Sequence, residues 1–421
     1  MNFRAFENWL SSRIAVKSRL KKVCLCFVMF LMIDTRKHSL QEAARFWGMN
    51  KSQFSRFLKN HSPLAIYTLQ ELSKRQAKQF SKILNCLAKG SLLWKIAILI
   101  DSTIQHRSSL HTDNAKRFNH GKGFVIGHQW TNIVLVINDL IIPLPPIPYH
   151  SRQYCRKNGL EYKTENQLVV EYINTLKLED YIGNHNPNGV IVLADSGYDD
   201  RKIENVIVRK KWKFIIALNK TRSVKSQRQY LNTAKSKDWT QVAEFFKNHR
   251  RLKWQTIRIP TNSSKRKRMD FRIRQIIGYL RHVGRIQLIC SEFEKRPDGR
   301  TKYLACNDLK AKARQVLIGY RLRWEIEIFH KKVKMYLGFQ DVATKSFKSV
   351  ISHVHWVYCA YILLHSHPPG ITEHASSIAD KQRQIKDIID SKDKARVIQL
   401  LTQINGGQRY KNELQRVLRA A

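Results

Sequence analysis

Two aspartates each follow a run of apolar residues, Ile98-Leu99-Ile100-Asp101 and Val192-Leu193-Ala194-Asp195. A carboxylate at the carboxyl end of a buried strand stands at the rim of a sheet, where α/β proteins build their sites. Strand-end Asp is also a common turn initiator, so either one alone says little. The pair weighs more in a chain with only 32 acidic residues among 421. A third carboxylate, Glu327, lies seven residues after Tyr320 and four after Arg323, with Lys334 following. On a helix turning ~100° per residue, Tyr320, Arg323, Glu327 and Lys334 point at about 0°, −60°, −20° and −40°. That stripe sets one carboxylate suited to a metal ion among three donors suited to phosphates. Glu325 points about 140° from Tyr320 and is not expected to join it. The same spacing also suits a solvated face held by an Arg323–Glu327 ion pair, worth about a few tenths of a kcal/mol. Spacing alone does not separate the two.

Other chemistry is poorly represented. His353, His355, Cys359, His365 and His367 suggest zinc at first sight. Histidines two apart on a helix do not share a face, however, and the stretch is apolar, which fits core packing better. Neither GxxxxGK[ST] nor GxSxG occurs, so ATP-driven and serine chemistry are not indicated.

The elements that must position these residues change character along the chain. Residues 1–90 read as helical. Within them, Leu40 to Lys59 fits a helix-turn-helix, with small Ala44 where the helices approach and Gly48 where the turn needs positive φ. Ala43, Trp47, Met49, Phe54 and Phe57 take the apolar positions. The second helix would expose Lys51, Gln53, Ser55 and Arg56, side chains suited to bases and phosphates. An ordinary helical hairpin is the alternative.

From residue 93 the apolar runs shorten to strand length. Strands are expected at 95–100, 123–126, 131–137, 190–194 and 213–218, with an apolar, proline-ended stretch at 140–148. Helices are expected at 165–176 and 199–210, with an irregular basic stretch at 149–163. Three strands, a helix, a strand, a helix and a strand is the order of a ribonuclease-H-like α/β core. Residues 220–300 are basic and alternating, and read as a β-rich insertion. A strand at 303–306 and one long helix at 310–336 close the core. The expected domains are therefore 1–90 (helical, DNA-binding), 91–219 (core), 220–300 (insertion), 301–344 (core, closing helix) and 345–421 (helical).

Charge sets the class of partner. Lys and Arg number 76 against 32 acids, a formal net charge of +44. Such a chain repels itself unless a polyanion neutralises it. The positive residues are dispersed, with peaks at 209–213, 247–253, 265–268 and 331–334, which suggests several surfaces gripping nucleic acid. The seven cysteines form no CxxC pair, which argues for reduced thiols in a cytosolic protein. The apolar run 23–33 is too short to span a bilayer, and no small-residue cleavage site follows it, so a buried helix is expected.

Taken together, Tyr320, Arg323, Glu327 and Lys334 match every position of Y-x2-R-x3-E-x6-K. Asp101 follows a short hydrophobic strand, and Asp195-Ser196-Gly197-Tyr198 fits a D-x-G-[YF] turn. In these features the chain resembles the DDE transposases of bacterial insertion sequences, in particular the cut-and-paste group of insertion-sequence family four. The resemblance covers about residues 90–340 well and the helical N-terminus loosely. It implies a ribonuclease-H-like fold with a β insertion, and a catalytic trio of Asp101, Asp195 and Glu327 holding two Mg²⁺ ions, for which Mn²⁺ can substitute. Asp101 would bridge both ions, while Asp195 and Glu327 would each hold one. Tyr320, Arg323 and Lys334 would grip the DNA end. It also implies double-stranded DNA as partner, a dimer in the DNA complex and a bacterial, nucleoid-associated location.

One feature departs from the group, some of whose members stack a flipped base on a Trp of the insertion. No Trp lies between Trp254 and Trp324, and Phe293 and Tyr303 are the aromatics considered in its place. The alternatives to a transposase are a related DDE nuclease or integrase, or a non-catalytic helix-turn-helix DNA-binding protein. The latter would have no use for the trio.

Overall fold

The computed structural model describes residues 3–14, 16–119, 123–227, 230, 239–249, 252–263, 266–293, 301–372, 374–403 and 412. Parts of the expected insertion, Lys265 of one basic peak, Arg250 and Arg251 of another, and most of the C-terminal segment beyond 403 lie outside the described residues.

Five helices open the chain: α1 (Phe3–Arg13), α2 (Ser18–Leu31), α3 (Leu40–Trp47), α4 (Lys51–Asn60) and α5 (Ser62–Phe80). The apolar run expected as a buried helix is α2, where every residue from Cys24 to Leu31 is buried. No helix among the described residues is long and apolar enough to cross a membrane. Polar caps define the next two helices. Ser39 accepts from the Glu42 amide at the start of α3, and Gly48 ends it at φ +59°, a conformation costly for any residue with a Cβ. Asn50 and Gln53 form a capping box on α4.

The strands that follow form one mixed sheet of 13 strands among the described residues. The first group is β1 (Ile96–His106), β2 (Lys116–Asn119), β3 (Phe124–Ile137), β4 (Leu140–Pro143), β5 (Ile147–Pro148), β6 (Val190–Ala194) and β7 (Lys213–Leu218). β1 pairs antiparallel with β3, which carries β4, and parallel with β6, which is parallel to β7. The two short strands expected at 123–126 and 131–137 are a single strand, because β1 continues past Asp101 to His106 and pairs β3 from Gly127 to Ile137, while β2 pairs its first residues. Asp101 therefore marks the end of the parallel pairing with β6 and not the end of its strand. The stretch 149–163, expected to be irregular, contains α6 (Arg152–Asn158). Helices α7 (Glu165–Thr175), α8 (Glu179–Ile182) and α9 (Arg201–Arg209) follow in the connections around β6 and β7.

Among its described residues, the segment expected as an insertion contains β8 (Ser223–Ser226), β9 (Thr240–Gln241), α10 (Val242–Asn248), β10 (Gln255–Ser263), β11 (Arg266–Leu280) and β12 (Gly284–Phe293). Its strands do not form a separate sheet. β12 pairs with β13 (Lys302–Cys306), and β13 pairs antiparallel with β7, so the insertion extends the central sheet. Four helices close the chain: α11 (Ala313–Leu322), α12 (Trp324–Tyr336), α13 (Phe347–Leu364) and α14 (Ile378–Gln403). The single helix expected over 310–336 is thus two helices meeting at Arg323. There the amides of Arg323 and Ile326 bond to carbonyls only three residues back, which tightens the turn.

The central strands are buried on both faces. Ala97, Leu99, Ile191, Leu193, Ile215 and Ala217 face one hydrophobic cluster, shared with α1–α4 and α11–α14. Ile96, Ile98, Ile100, Val190, Val192, Phe214 and Ile216 face another, filled largely by α7–α10. The N-terminal helices do not stand apart from the rest: Phe57 of α4 stacks on Trp356 of α13 at 5.8 Å, and Ser73 of α5 donates to the Pro143 carbonyl of β4 at 2.7 Å.

Candidate active site

The parallel register pairs Ile100 with Ala194, so the next residue on each strand is an aspartate: Asp101 and Asp195 stand side by side where β6 ends. Strand alternation gives each the parity of Leu99 and Leu193, and so directs both toward the face covered by α11–α13. Gly319 lets α11 lie close to that face, since a Cβ there would meet Ile215 Cδ1 at 2.8 Å and Trp94 Cζ3 at 3.1 Å. Tyr320 and Arg323 follow at once.

Arg323 draws the carboxylates together. Its Nη2 donates to Glu327 Oε1 at 2.5 Å, and its Nη1 lies 3.9 Å from Asp101 Oδ2. Asp195 is held by its own turn, with Oδ1 accepting from the Gly197 amide at 2.9 Å. Burial pushes the Asp101 carboxyl up to about 7; Arg323 opposes the rise, and the charges of Asp195 and Glu327 add to it. Burial works against the Arg323 guanidinium, yet Tyr320, Glu327 and Asp101 around it leave its pKa above the usual value. Burial lowers Lys334, with Asp101 opposing, and raises Tyr320. All four residues of the stripe and both aspartates therefore share one electrostatic site. Glu325 does not belong to it. Its charged neighbours are Lys332 and Asp139, and its carboxyl is raised first by burial.

Among the described residues no three His, Cys, Asp or Glu side chains already stand close enough together to hold a metal ion. Three carboxylates with no thiol among them are nonetheless a donor set for a hard divalent ion. Of the histidines considered for zinc, His353 and His355 of α13 bond to the carbonyls of Gly338 and Ile351, and His365, just past the helix, to that of Tyr361.

Three residues around the site were not singled out from the sequence. His330, one turn after Glu327, points Nδ1 at Asp101 Oδ2 from 3.9 Å, and burial holds it neutral. Glu165, the first residue of α7, accepts from Gln129 Nε2, Thr131 Oγ1 and Tyr198 Oη at 2.6, 3.0 and 2.7 Å. With three donors already on it, Glu165 anchors the Asp195 turn through Tyr198. Asn219, just past β7, bonds to that same turn. The only advance signal was the Thr164 cap before Glu165, since the other contacts are tertiary.

The residues expected to read DNA are separate from this site. Lys51, Gln53, Ser55 and Arg56 are all exposed on α4. Gln53 already uses its side-chain oxygen to accept the Asn50 amide at 3.3 Å, which leaves its NH₂ group for a ligand.

The fold and site together define a mixed α/β protein, with helices on both sides of a large sheet and three carboxylates gathered beside cationic donors. Residues 162–363 match the family model described as Transposase DDE domain, which supports a DDE transposase. The matched segment contains Asp195 and the whole stripe from Tyr320 to Lys334, and begins after Asp101. No curated protein matches the chain.

Proposed function

We propose that this protein is a cut-and-paste DNA transposase that cleaves strands at the ends of its element and joins them to target DNA. The observation that carries the reading is the convergence of Asp101, Asp195 and Glu327, from β1, the end of β6 and α12, on one cationic corner of the sheet. The strand order β4-β3-β1-β6-β7, antiparallel in the first three and parallel in the last three, supports a ribonuclease-H-like core.

Asp101, Asp195 and Glu327 would hold two Mg²⁺ ions, with Mn²⁺ able to replace them. The all-oxygen donor set favours this, as do the charges of Asp195 and Glu327, which add to the burial that raises Asp101. Bound there, the ions supply activation of a water or 3′-hydroxyl and stabilise the leaving oxygen. Glu327, now paired with Arg323, would be available as a ligand with that pair opened, and the guanidinium would then be free for a phosphate of the DNA end. Tyr320 and Lys334 add a hydroxyl and an ammonium on the same stripe, and Asp101 is kept partly out of water by the helices above it. Recognition of the end sequence falls to α4, through Lys51, Gln53 and Arg56.

The test is a set of amide replacements. Asp101→Asn, Asp195→Asn and Glu327→Gln should each abolish cleavage and strand transfer, and EDTA should do the same to the unaltered protein. DNA binding should survive, because the shape is kept and the protein becomes more positive. Glu325→Gln is the control on the same helix and should stay near full activity. Activity in the Glu327→Gln protein with loss in Glu325→Gln would overturn the assignment.

A further inference from the structure

The second aspartate stands on a turn that nothing in its own strand supports. β6 ends at Ala194, and Asp195 opens a short 3₁₀ turn, Ser196–Tyr198, before α9 begins. Tyr198 ties the far end of that turn to Glu165. Its near end, the residue directly after Asp195, is tied from the other side by Asn219. The Asn219 side-chain amide donates to the Ser196 carbonyl at 2.9 Å, and the Asn219 backbone amide donates to Asp199 Oδ2 at 2.8 Å. The side-chain assignment is chemically forced, since a carbonyl can only accept and only Nδ2 can donate.

The far anchor of this clamp is firm. Asp199 Oδ1 lies 3.4 Å from Arg222 Nε, and Arg222 Nη2 also donates to Glu204 Oε2. Asp199 and Glu204 are 1% and 0% exposed at their side chains, so the guanidinium lies between two buried carboxylates. Arg222 directly precedes β8, the first strand of the insertion, and Asn219 directly follows β7. One short segment, 219–222, therefore joins the core strand, the insertion and the turn carrying Asp195.

We propose that Asn219 is a positioning residue for Asp195. Its side chain holds the Ser196 carbonyl so that the Asp195 carboxylate keeps the orientation needed to bind a divalent ion. This rests on the reading of Asp195 as a metal ligand given above. In this role Asn219 acts through the backbone of the turn, at the Ser196 carbonyl. Hydrogen-bond partners of a ligand change metal affinity by about 10- to 100-fold when lost, and Asn219 acts one residue away from the ligand, so the low end of that range is expected. The position is exposed, so truncation leaves the core untouched.

The experiment measures Mn²⁺ binding directly, by electron paramagnetic resonance of the free ion, in the full chain and in its Asn219→Ala and Asp195→Asn variants. Thermal midpoints and affinity for nonspecific duplex DNA are measured beside it. Asn219→Ala should weaken Mn²⁺ binding by about tenfold or more, with the thermal midpoint and DNA affinity unchanged, and raised Mn²⁺ should restore cleavage. Mn²⁺ affinity equal to that of the unaltered chain would overturn the proposal while leaving Asp195 a ligand. A loss of affinity matched by a clear fall in thermal midpoint would also overturn it, because general loosening would then be the cause. If the unaltered chain binds no Mn²⁺ in an Asp195-dependent way, the metal reading of the site fails first, and this proposal falls with it.

Discussion

Arg323 holds Glu327 at 2.5 Å, faces Asp101 at 3.9 Å and is 9% exposed, so one guanidinium faces two of the three carboxylates of the candidate site. Lysine there would keep the charge and lose the fork that reaches both carboxylates. A different set of buried groups makes the whole protein sensitive to acid. His353 and His355 are 0% and 2% exposed. Burial is the main cause that pushes them down, to about 3 and about 4, and the carbonyls they bond oppose it. In the unfolded chain both would titrate near about 6.5. Below that pH the unfolded state binds protons that the folded state refuses. Their contribution is therefore intact above about 6.5 and is lost as pH falls toward the folded values, by up to about 1.4 kcal/mol per pH unit for each group. The thermal midpoint should fall steeply between pH 7 and 5, and His353→Asn should flatten that slope even though it lowers stability at pH 7.5. An unaltered slope in the variant would show that other groups set the acid limit.

At the scale of elements, the helix-turn-helix is assembled from local signals. Ser39 and Asn50 cap its two helices, and Gly48 turns the chain between them at φ +59°. Each cap is worth about 1 kcal/mol. Because Arg56 is exposed on the second helix and supports none of this, Arg56→Ala should leave the thermal midpoint unchanged. It should weaken binding to the element's end sequence by about 1–3 kcal/mol if it contacts a base, and cleavage of precut ends should persist. Unchanged end binding would make the motif a packing hairpin. Gly48, the small Ala44 and the apolar positions between the helices made this pair legible from sequence, and apolar runs did the same for the buried strands before Asp101 and Asp195. The stripe from Tyr320 to Lys334 could be placed on one face because helical phase survives the tight junction at Arg323. The junction itself carries no Gly or Pro and left no trace in the sequence. The gap expected between 126 and 131 is strand, and Gly127 within it serves close packing, since a Cβ there would meet the Gln105 carbonyl oxygen at 2.3 Å. Asn219 and His330 were illegible for a simpler reason: their roles depend on residues far away in the chain.

Across the whole molecule, a net charge of +44 is spread over the helical end, the core and the insertion alike. Nonspecific duplex binding should therefore weaken steeply with salt, with a slope of log K against log salt corresponding to about six or more phosphates. A slope matching one or two contacts would count against an extended DNA interface. Helix α11 also grips the insertion: Arg314 donates to the Arg258 carbonyl at 3.4 Å and Arg321 to that of Pro260 at 2.5 Å. The pairing of β7 with β13 has a consequence of its own. Strand β7 is apolar from Phe214 to Leu218, and its outer edge is occupied only by β13, which the chain reaches after the whole insertion has been laid down. A growing chain emerging from the ribosome thus passes through a stage in which the core strands exist and that edge is bare. Unpaired, flat and apolar edges recruit one another, so the hazard in making this protein lies in the interval between residues 218 and 302, when two unfinished copies can pair through the edge that β13 later occupies.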